Sequence, residues 1–254
     1  MLKKARRRAA RHWKGEYRTK VLPVHLLFQQ SQWFYLLHAL LAMIILYPYF
    51  EVPGEAARPL ILNILDSSII MLLVYTVSFN TRQMVLALML GIPTLFFYWL
   101  PYSPPTHFLA LISATVLYLY AVLMIIPYLI HAETMDASEI YGAATVYLLL
   151  GFAWARIYQM IDIIYPDSFY ISEAHNIDAL MSWSDFLFFS FTTLTTLGYG
   201  DIAPITSAAR SFSILEAITG VLFIAVMIGK ILGLHIAHSA LIDKTTCDLL
   251  MEDD

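Results

Sequence analysis

The chain has 254 residues, 59% of them hydrophobic and 13% charged, with a mean hydropathy of +0.68. Soluble domains carry about 25% charged residues, so this composition excludes an average soluble domain and points to a membrane protein. The net charge of -4 conceals an asymmetry: nine of the 15 Lys and Arg fall within the first 20 residues, from Lys3 to Lys20.

Residues 1–32 therefore read as a basic arm. A signal peptide is the alternative, but the basic region is too long. No small-residue cleavage site follows the apolar stretch "WFYLLHALLAMIILYPYF". The positive-inside rule places the arm in the cytoplasm. It is expected either to touch anionic lipid head groups or to serve as a solvated tail that only sets topology.

Six stretches then reach the length and apolarity of membrane-spanning helices: 33–50, 60–79, 84–100, 107–130, 140–164 and 208–234. Short polar or proline-bearing connections separate the first five, such as "EVPGEAARP" and "PYSPPT". Aromatic pairs mark the expected interfaces: Trp33 and Tyr35, Tyr47 and Tyr49, Tyr98 and Trp99, Tyr165 and Tyr170. Six spans return both termini to the cytoplasmic side of a cell membrane, and Arg82 in the second connection lands there too. The acidic 131–139 connection also lands inside, but acidic residues count for little in the rule.

The stretch between the fifth and sixth spans has a different character. Residues 165–182 read as an extracellular turret. "SWSDFLFFSFTTL" opens with Ser and Asp at a plausible helix start and is too short to cross a bilayer, so it is expected to be a half-helix that dips in and stops. Residues 192–201, "TTLTTLGYGD", follow within a very apolar chain. Non-helical backbone at membrane depth is tolerated only where it is buried in protein or lines a wet cavity. Gly198 and Gly200, flanking Tyr199, allow alternate residues to take opposite-handed conformations, so that successive carbonyls can point the same way.

The run Thr196-Leu197-Gly198-Tyr199-Gly200-Asp201, between a half-helix and a final span, resembles the selectivity-filter signature of the potassium channel family, Thr-x-Gly-Tyr-Gly-Asp. The resemblance covers about residues 140–240; residues 33–131 match the family only in span count. It implies that Thr196, Leu197, Gly198, Tyr199 and Gly200 form the filter, with backbone carbonyls and the Thr196 hydroxyl replacing the water around K⁺. It implies Asp201 at the outer mouth, Phe188, Phe189 and Thr192 as filter support, and Gly220 as a gating hinge in the last span. Leu197 departs from the usual Val or Ile. Phe188 and Phe189 stand where many members carry tryptophans, and phenylalanine has no N–H to donate to Asp201 or Tyr199.

Other readings exist for the same residues. "GYGD" fits the Gly-x-Gly-Asp motif of intramembrane aspartyl proteases, with Asp201 catalytic, but that family's Tyr-Asp and Pro-Ala-Leu motifs are absent. A potassium-uptake transporter subunit would carry four pore repeats, and this chain has one. A weakly selective cation channel is the remaining alternative.

Ionisable groups inside spans are costly and are usually paired or functional. Counting depth from the outer ends predicts that Arg156 is neutralised by Glu216, with Asp66 as runner-up. Asp162 and Asn63 read as structural. Lys230 is expected to snorkel to the cytoplasmic interface. Gly229 and Gly233 have the spacing that permits close helix approach. His235 and His238 are either pH sensors or ordinary exposed histidines. The single cysteine, Cys247, cannot form an intrachain disulfide.

The expected fold class is an all-α membrane protein. It has six transmembrane helices and a re-entrant pore helix with a filter loop, assembled as a four-fold homotetramer. Residues 33–131 would form a four-helix, voltage-sensor-like domain, 140–241 the pore domain and 242–254 a short cytoplasmic tail, too short for a ligand-binding domain. No enzyme activity, cofactor or nucleic-acid partner is expected; K⁺ is the permeant ion. The fourth span contains no Arg or Lys, so voltage gating is not expected.

Overall fold

The structure, a computed structural model, describes residues 32–50, 60–101, 103–132, 137–172 and 181–251, with backbone alone for 137 and 234–251. The elements in chain order are α1 (Gln32–Phe50), α2 (Leu60–Val77), α3 (Thr81–Trp99), α4 (Pro104–His131), α5 (Ala137–Ile164), β1 (Phe169–Ile171), α6 (Trp183–Leu194), β2 (Ile202–Pro204) and α7 (Ser207–Met251). Six of the helices are long and apolar enough to cross a membrane. Among the described residues this is an all-α membrane fold apart from one small ladder. The basic arm, residues 1–31, lies outside the described residues, as do the side chains of His235, His238 and Cys247.

The helix starts follow local chemistry. Ser103 caps α4 in a reciprocal capping box with Thr106, and Pro104 supplies a ring with φ already suited to the first turn. The shorter α6 starts the same way. The Ser182 hydroxyl accepts from the Asp185 N–H at 3.2 Å, and the Asp185 carboxylate accepts from the Ser182 N–H at 2.9 Å.

Helices α1 to α4 pack sequentially, and α1 and α4 lie against α5. The shared core includes Trp33, Leu36, Leu40, Leu73, Ala114, Tyr118, Ile125 and Phe152. Helix α6 nests between α5 and α7. It contacts α5 so closely that a Cβ on Gly151 would sit 2.6 Å from the Phe191 ring.

The outer end of the α5–α7 unit holds a feature the sequence reading did not anticipate. Strands β1 and β2 pair antiparallel, with Phe169 opposite Pro204, Tyr170 opposite Ala203 and Ile171 opposite Ile202. Backbone bonds from Ser172 N–H to the Asp201 carbonyl (2.9 Å) and from Ile205 N–H to the Ser168 carbonyl (2.8 Å) extend the tie. The segment before α6 is thus fastened to the segment after the glycine loop, so the loop is held at both ends.

Helix α7 is the least covered of the six long helices. Only 17% of its most apolar stretch is buried, against 56% for α5. Ile214, Leu215, Ile218, Val221 and Leu222 are exposed on the single chain.

Candidate functional site: the loop behind helix α6

Helix α6 ends in a double hydrogen-bonded turn. Leu197 N–H donates to the Thr192 carbonyl at 2.8 Å, and Thr196 N–H donates to the Thr193 carbonyl at 2.9 Å. This is the Schellman pattern, which requires a left-handed residue just past the helix, usually glycine. Here that residue is Thr196, with φ +59°. A β-branched residue at positive φ is a genuine outlier, and such strain costs of order 1–3 kcal/mol.

The left-handed conformation recurs at every second residue: Thr196, then Gly198 (φ +55°), then Gly200 (φ +86°). The two glycines adopt it without a steric penalty. The Thr192 carbonyl also accepts Gly198 N–H at 3.1 Å, so one carbonyl of the helix end anchors two consecutive N–H groups of the loop. Residues 195–200 are all exposed on the single chain.

The residues expected to support the loop divide between its two sides. The Phe188 ring stacks on Tyr199, with centroids 5.9 Å apart and planes 7° from parallel. Phe189 points the other way and is buried in edge contacts with Tyr158 (4.9 Å) and Phe169 (5.2 Å). It does not touch Tyr199 in the described contacts. Residues one apart on a helix point about 100° apart, so these two phenylalanines meet different neighbours. The buried Thr192 hydroxyl returns to the Phe189 carbonyl at 3.0 Å. Asp201 lies at the end of the loop, where its carbonyl joins the strand ladder.

Gly220 faces the end of α6. A Cβ there would lie 2.0 Å from the Leu194 carbonyl oxygen and 2.9 Å from its carbon. Helix α7 runs unbroken through this position. The absence of a side chain at Gly220 lets α7 approach the last turn of α6 closely.

The expected Arg156–Glu216 pair does not form. Arg156, buried on α5, lies 3.5 Å from the buried Asp66 on α2, the runner-up partner. Its guanidinium also reaches the Tyr118 hydroxyl at 3.4 Å and sits over the rings of Trp183 (4.6 Å), Tyr118 (5.2 Å) and Tyr98 (5.6 Å). Glu216 is buried elsewhere, accepting a hydrogen bond from the Tyr158 hydroxyl and lying 2.5 Å from the Ser190 hydroxyl. The reason is angular. Arg156 and Tyr158 are two residues apart and so about 200° apart around α5. The face carrying Tyr158 meets α7, and the face carrying Arg156 meets α2–α4. Depth along a helix says nothing of this rotation.

Two other polar groups find structural partners. Asp162 accepts Ser168 N–H at 3.1 Å. The Lys230 ammonium does not simply reach for solvent. It donates to the Ile130 carbonyl and to the Ala132 carbonyl (2.9 Å), at the C-terminal end of α4. A cation there also meets the negative end of the helix dipole.

With this geometry in place, comparison with known proteins finds likenesses over part of the chain. Residues 144–234 match the family described as "Ion channel". The chain is 32% identical over 94 residues to the voltage-gated potassium channel Kch of Escherichia coli, covering 36% of this chain and 21% of that protein. It is 34% identical over 62 residues to two-pore potassium channel 4 of Arabidopsis thaliana, covering 24% of this chain and 22% of that one. It is 37% identical over 72 residues to potassium voltage-gated channel subfamily A member 6 of Mus musculus, covering 28% and 14%. The chain therefore spans less than a quarter of the length of these relatives. The match falls on α5, α6, the loop and α7, and leaves α1–α4 outside.

Proposed function

We propose that the chain, whose residues 144–234 match the ion channel family, is one subunit of a homotetrameric potassium-selective channel. The observation that carries this reading is the alternating left-handed backbone at Thr196, Gly198 and Gly200. A chain that flips handedness at every second residue can turn successive carbonyls toward one side. A row of carbonyl oxygens can then replace the hydration shell of a dehydrating K⁺. In this reading the carbonyls of Thr196, Leu197, Gly198 and Tyr199, with the Thr196 hydroxyl, supply the ion sites. Gly200 lets the loop turn outward, and Asp201 adds negative charge at the mouth.

The remaining geometry supports the same reading. Every residue of the loop from 195 to 200 is exposed on the single chain, and α7 presents a long uncovered apolar face. Lipid tails cover an apolar helix face as well as protein does, so it is the exposed polar loop that calls for further copies around it. One loop provides one wall, and four copies about an axis would close a pore. The C-terminal end of α6 carries partial negative charge, and four such ends pointing at the axis would favour a cation before it enters the filter. Conduction of this kind is passive. It breaks no bond, needs no cofactor and assigns no catalytic role to any residue.

In this reading α1–α4 form a peripheral domain (33–131) beside the pore domain (140–241), with both termini cytoplasmic. Voltage is not the stimulus. Helix α4 has no Arg or Lys, and Arg156 is held by Asp66 and three rings.

The test is the reversal potential of the purified chain in bilayers with asymmetric K⁺ and Na⁺. The expected value lies near the K⁺ equilibrium potential. A value near zero under opposing K⁺ and Na⁺ would replace this reading with a weakly selective cation channel. The Phe188–Tyr199 stack is the observation that favours that second reading, because it holds Tyr199 without any N–H donor.

A further inference from the structure

The buried Glu216 is not used by the pore reading, although it lies directly behind α6. Among the described residues no cation pairs with it, since Arg156 goes to Asp66. It is surrounded instead by hydroxyls. The Tyr158 hydroxyl on α5 donates to Glu216 Oε2. The Ser190 hydroxyl on α6 lies 2.5 Å from Glu216 Oε1 and 2.8 Å from the Gly151 carbonyl on α5.

Counting protons decides how these contacts are made. A serine hydroxyl has one hydrogen to donate. The Gly151 carbonyl can only accept, and an ionised carboxylate can only accept. With Glu216 ionised, two acceptors would compete for the single Ser190 proton, and one close contact would be left between lone pairs. With a proton on Oε1 every contact is satisfied in one direction. Tyr158 donates to Oε2, Oε1–H donates to Ser190 Oγ, and Ser190 donates to the Gly151 carbonyl.

We propose that Glu216 is a protonated positioning residue, and that the chain Tyr158–Glu216–Ser190–Gly151 fixes α6 against α5 and α7 so as to hold the filter in register. The proposal rests on the pore reading above. The mechanical connection is short. Ser190 lies on the last turns of α6, two residues before Thr192, whose carbonyl holds the N–H groups of Leu197 and Gly198. The Gly151–Phe191 contact next to it leaves no slack for α6 to slide along α5. The hydrogen bonds thus orient a helix that is already close-packed, and the helix end sets the loop. Phenylalanines 188 and 189 cannot donate to the loop, so the hydroxyl chain behind α6 adds bracing that their rings do not supply.

The experiment uses the full chain and three variants, Glu216→Gln, Glu216→Ala and Ser190→Ala, with two measurements: the K⁺/Na⁺ permeability ratio in bilayers and infrared difference spectra of parent against Glu216→Gln. Glutamine offers the same pattern as a neutral carboxyl, an oxygen for Tyr158 and an N–H for Ser190. Glu216→Gln should keep the ratio within about twofold of the parent, whereas Ser190→Ala and Glu216→Ala, which leave buried donors or acceptors unpaired, should lower it at least about tenfold. The difference spectrum should show a carboxylic-acid carbonyl band in the parent that Glu216→Gln loses.

The proposal is overturned if Glu216→Gln loses selectivity as Glu216→Ala does, if the difference spectrum shows a carboxylate pair, or if Ser190→Ala keeps the parent ratio. Should Glu216→Ala not assemble, Ser190→Ala and the infrared band still decide. A parent that does not discriminate K⁺ from Na⁺ would instead defeat the pore reading, and the infrared band would still report the proton.

Discussion

Replacing Arg156 by methionine is the most direct probe of how α1–α4 are joined to the α5–α7 unit. The side chain links α5 to Asp66 on α2, and its guanidinium lies under rings from α3, α4 and the first turn of α6. Removing one member of a buried ion pair costs about 3–5 kcal/mol, mostly from the charge left behind. Losing the cation over its rings adds roughly 0.5–2 kcal/mol, partly offset because methionine fills much of the same volume. The single change should therefore destabilise by about 4 kcal/mol, and at 2–4 °C per kcal/mol for a chain of this size the transition should fall by about 10 °C.

Asp66→Asn in the same chain removes the stranded charge. The double variant should recover about 2–3 kcal/mol of the loss, a coupling typical of residues in contact. Pairing Arg156→Met with Glu216→Gln should recover nothing, because Glu216 on α7 meets the Tyr158 face of α5, about 200° around the helix from Arg156. The assay is thermal unfolding of the solubilised protein followed by loss of the assembled species, with all four corners of each cycle measured. A larger coupling with Glu216 than with Asp66 would refute the arrangement and restore the pairing that depth alone suggests.

Gly220→Ala places a methyl 2.0 Å from the Leu194 carbonyl oxygen, so α7 or the end of α6 must move by about 1 Å, an overpacking that costs roughly 1–3 kcal/mol. Both thermal stability and the K⁺/Na⁺ permeability ratio should fall, whereas altered opening kinetics with both preserved would favour a hinge. Gly198→Ala forces a Cβ onto a residue at φ +55° and should abolish selective conduction while leaving membrane insertion intact; unchanged selectivity on ion-substitution recordings would contradict the filter assignment. Open probability should be nearly flat from about -100 to +100 mV, against the ~2.3 kcal/mol that one full gating charge contributes per 100 mV. A steep conductance–voltage curve with resolvable gating currents, recorded without internal Mg²⁺, would overturn that expectation.

What could be read from the sequence follows from the range of the interactions involved. A span is announced by its own twenty apolar residues, so α1–α5 and α7 appear where the apolar stretches lie. The α6 start is announced by Ser182 and Asp185, three residues apart. The loop is announced by Gly198 and Gly200. All of these are local. The β1–β2 ladder is not, because three residues such as Phe169–Ile171 are too few to show a period, and the partner lies more than 30 residues away. The Arg156 partner is not local either. Its depth can be counted along α5, but the rotation that turns it to Asp66 is set by which faces of α5 meet α2–α4 and α7. Gly220 shows a third kind of limit. A glycine in a helix can be there for bending or for closeness, and the sequence does not show the Leu194 carbonyl that lies beside it.

Thr196 shows where local rules alone would have chosen differently. The turn that ends α6 needs a left-handed residue, and glycine would supply it free of strain. The chain instead places a β-branched residue there, at a cost of order 1–3 kcal/mol. Nothing in helix capping rewards that choice, since Leu197 and Thr196 donate their N–H groups to Thr192 and Thr193 whatever the side chain. What threonine has and glycine lacks is a hydroxyl, an additional oxygen at the inner end of the loop. In the pore reading that oxygen stands where an ion first sheds its water, so the strain and the ligand belong to one residue. The three backbone hydrogen bonds to α6, the strand ladder at Asp201 and the hydroxyl chain through Glu216 are the forces that can hold such a residue in place. A site whose own backbone resists its shape has to be fixed from several sides, and this loop is tied at its start, at its end and from behind.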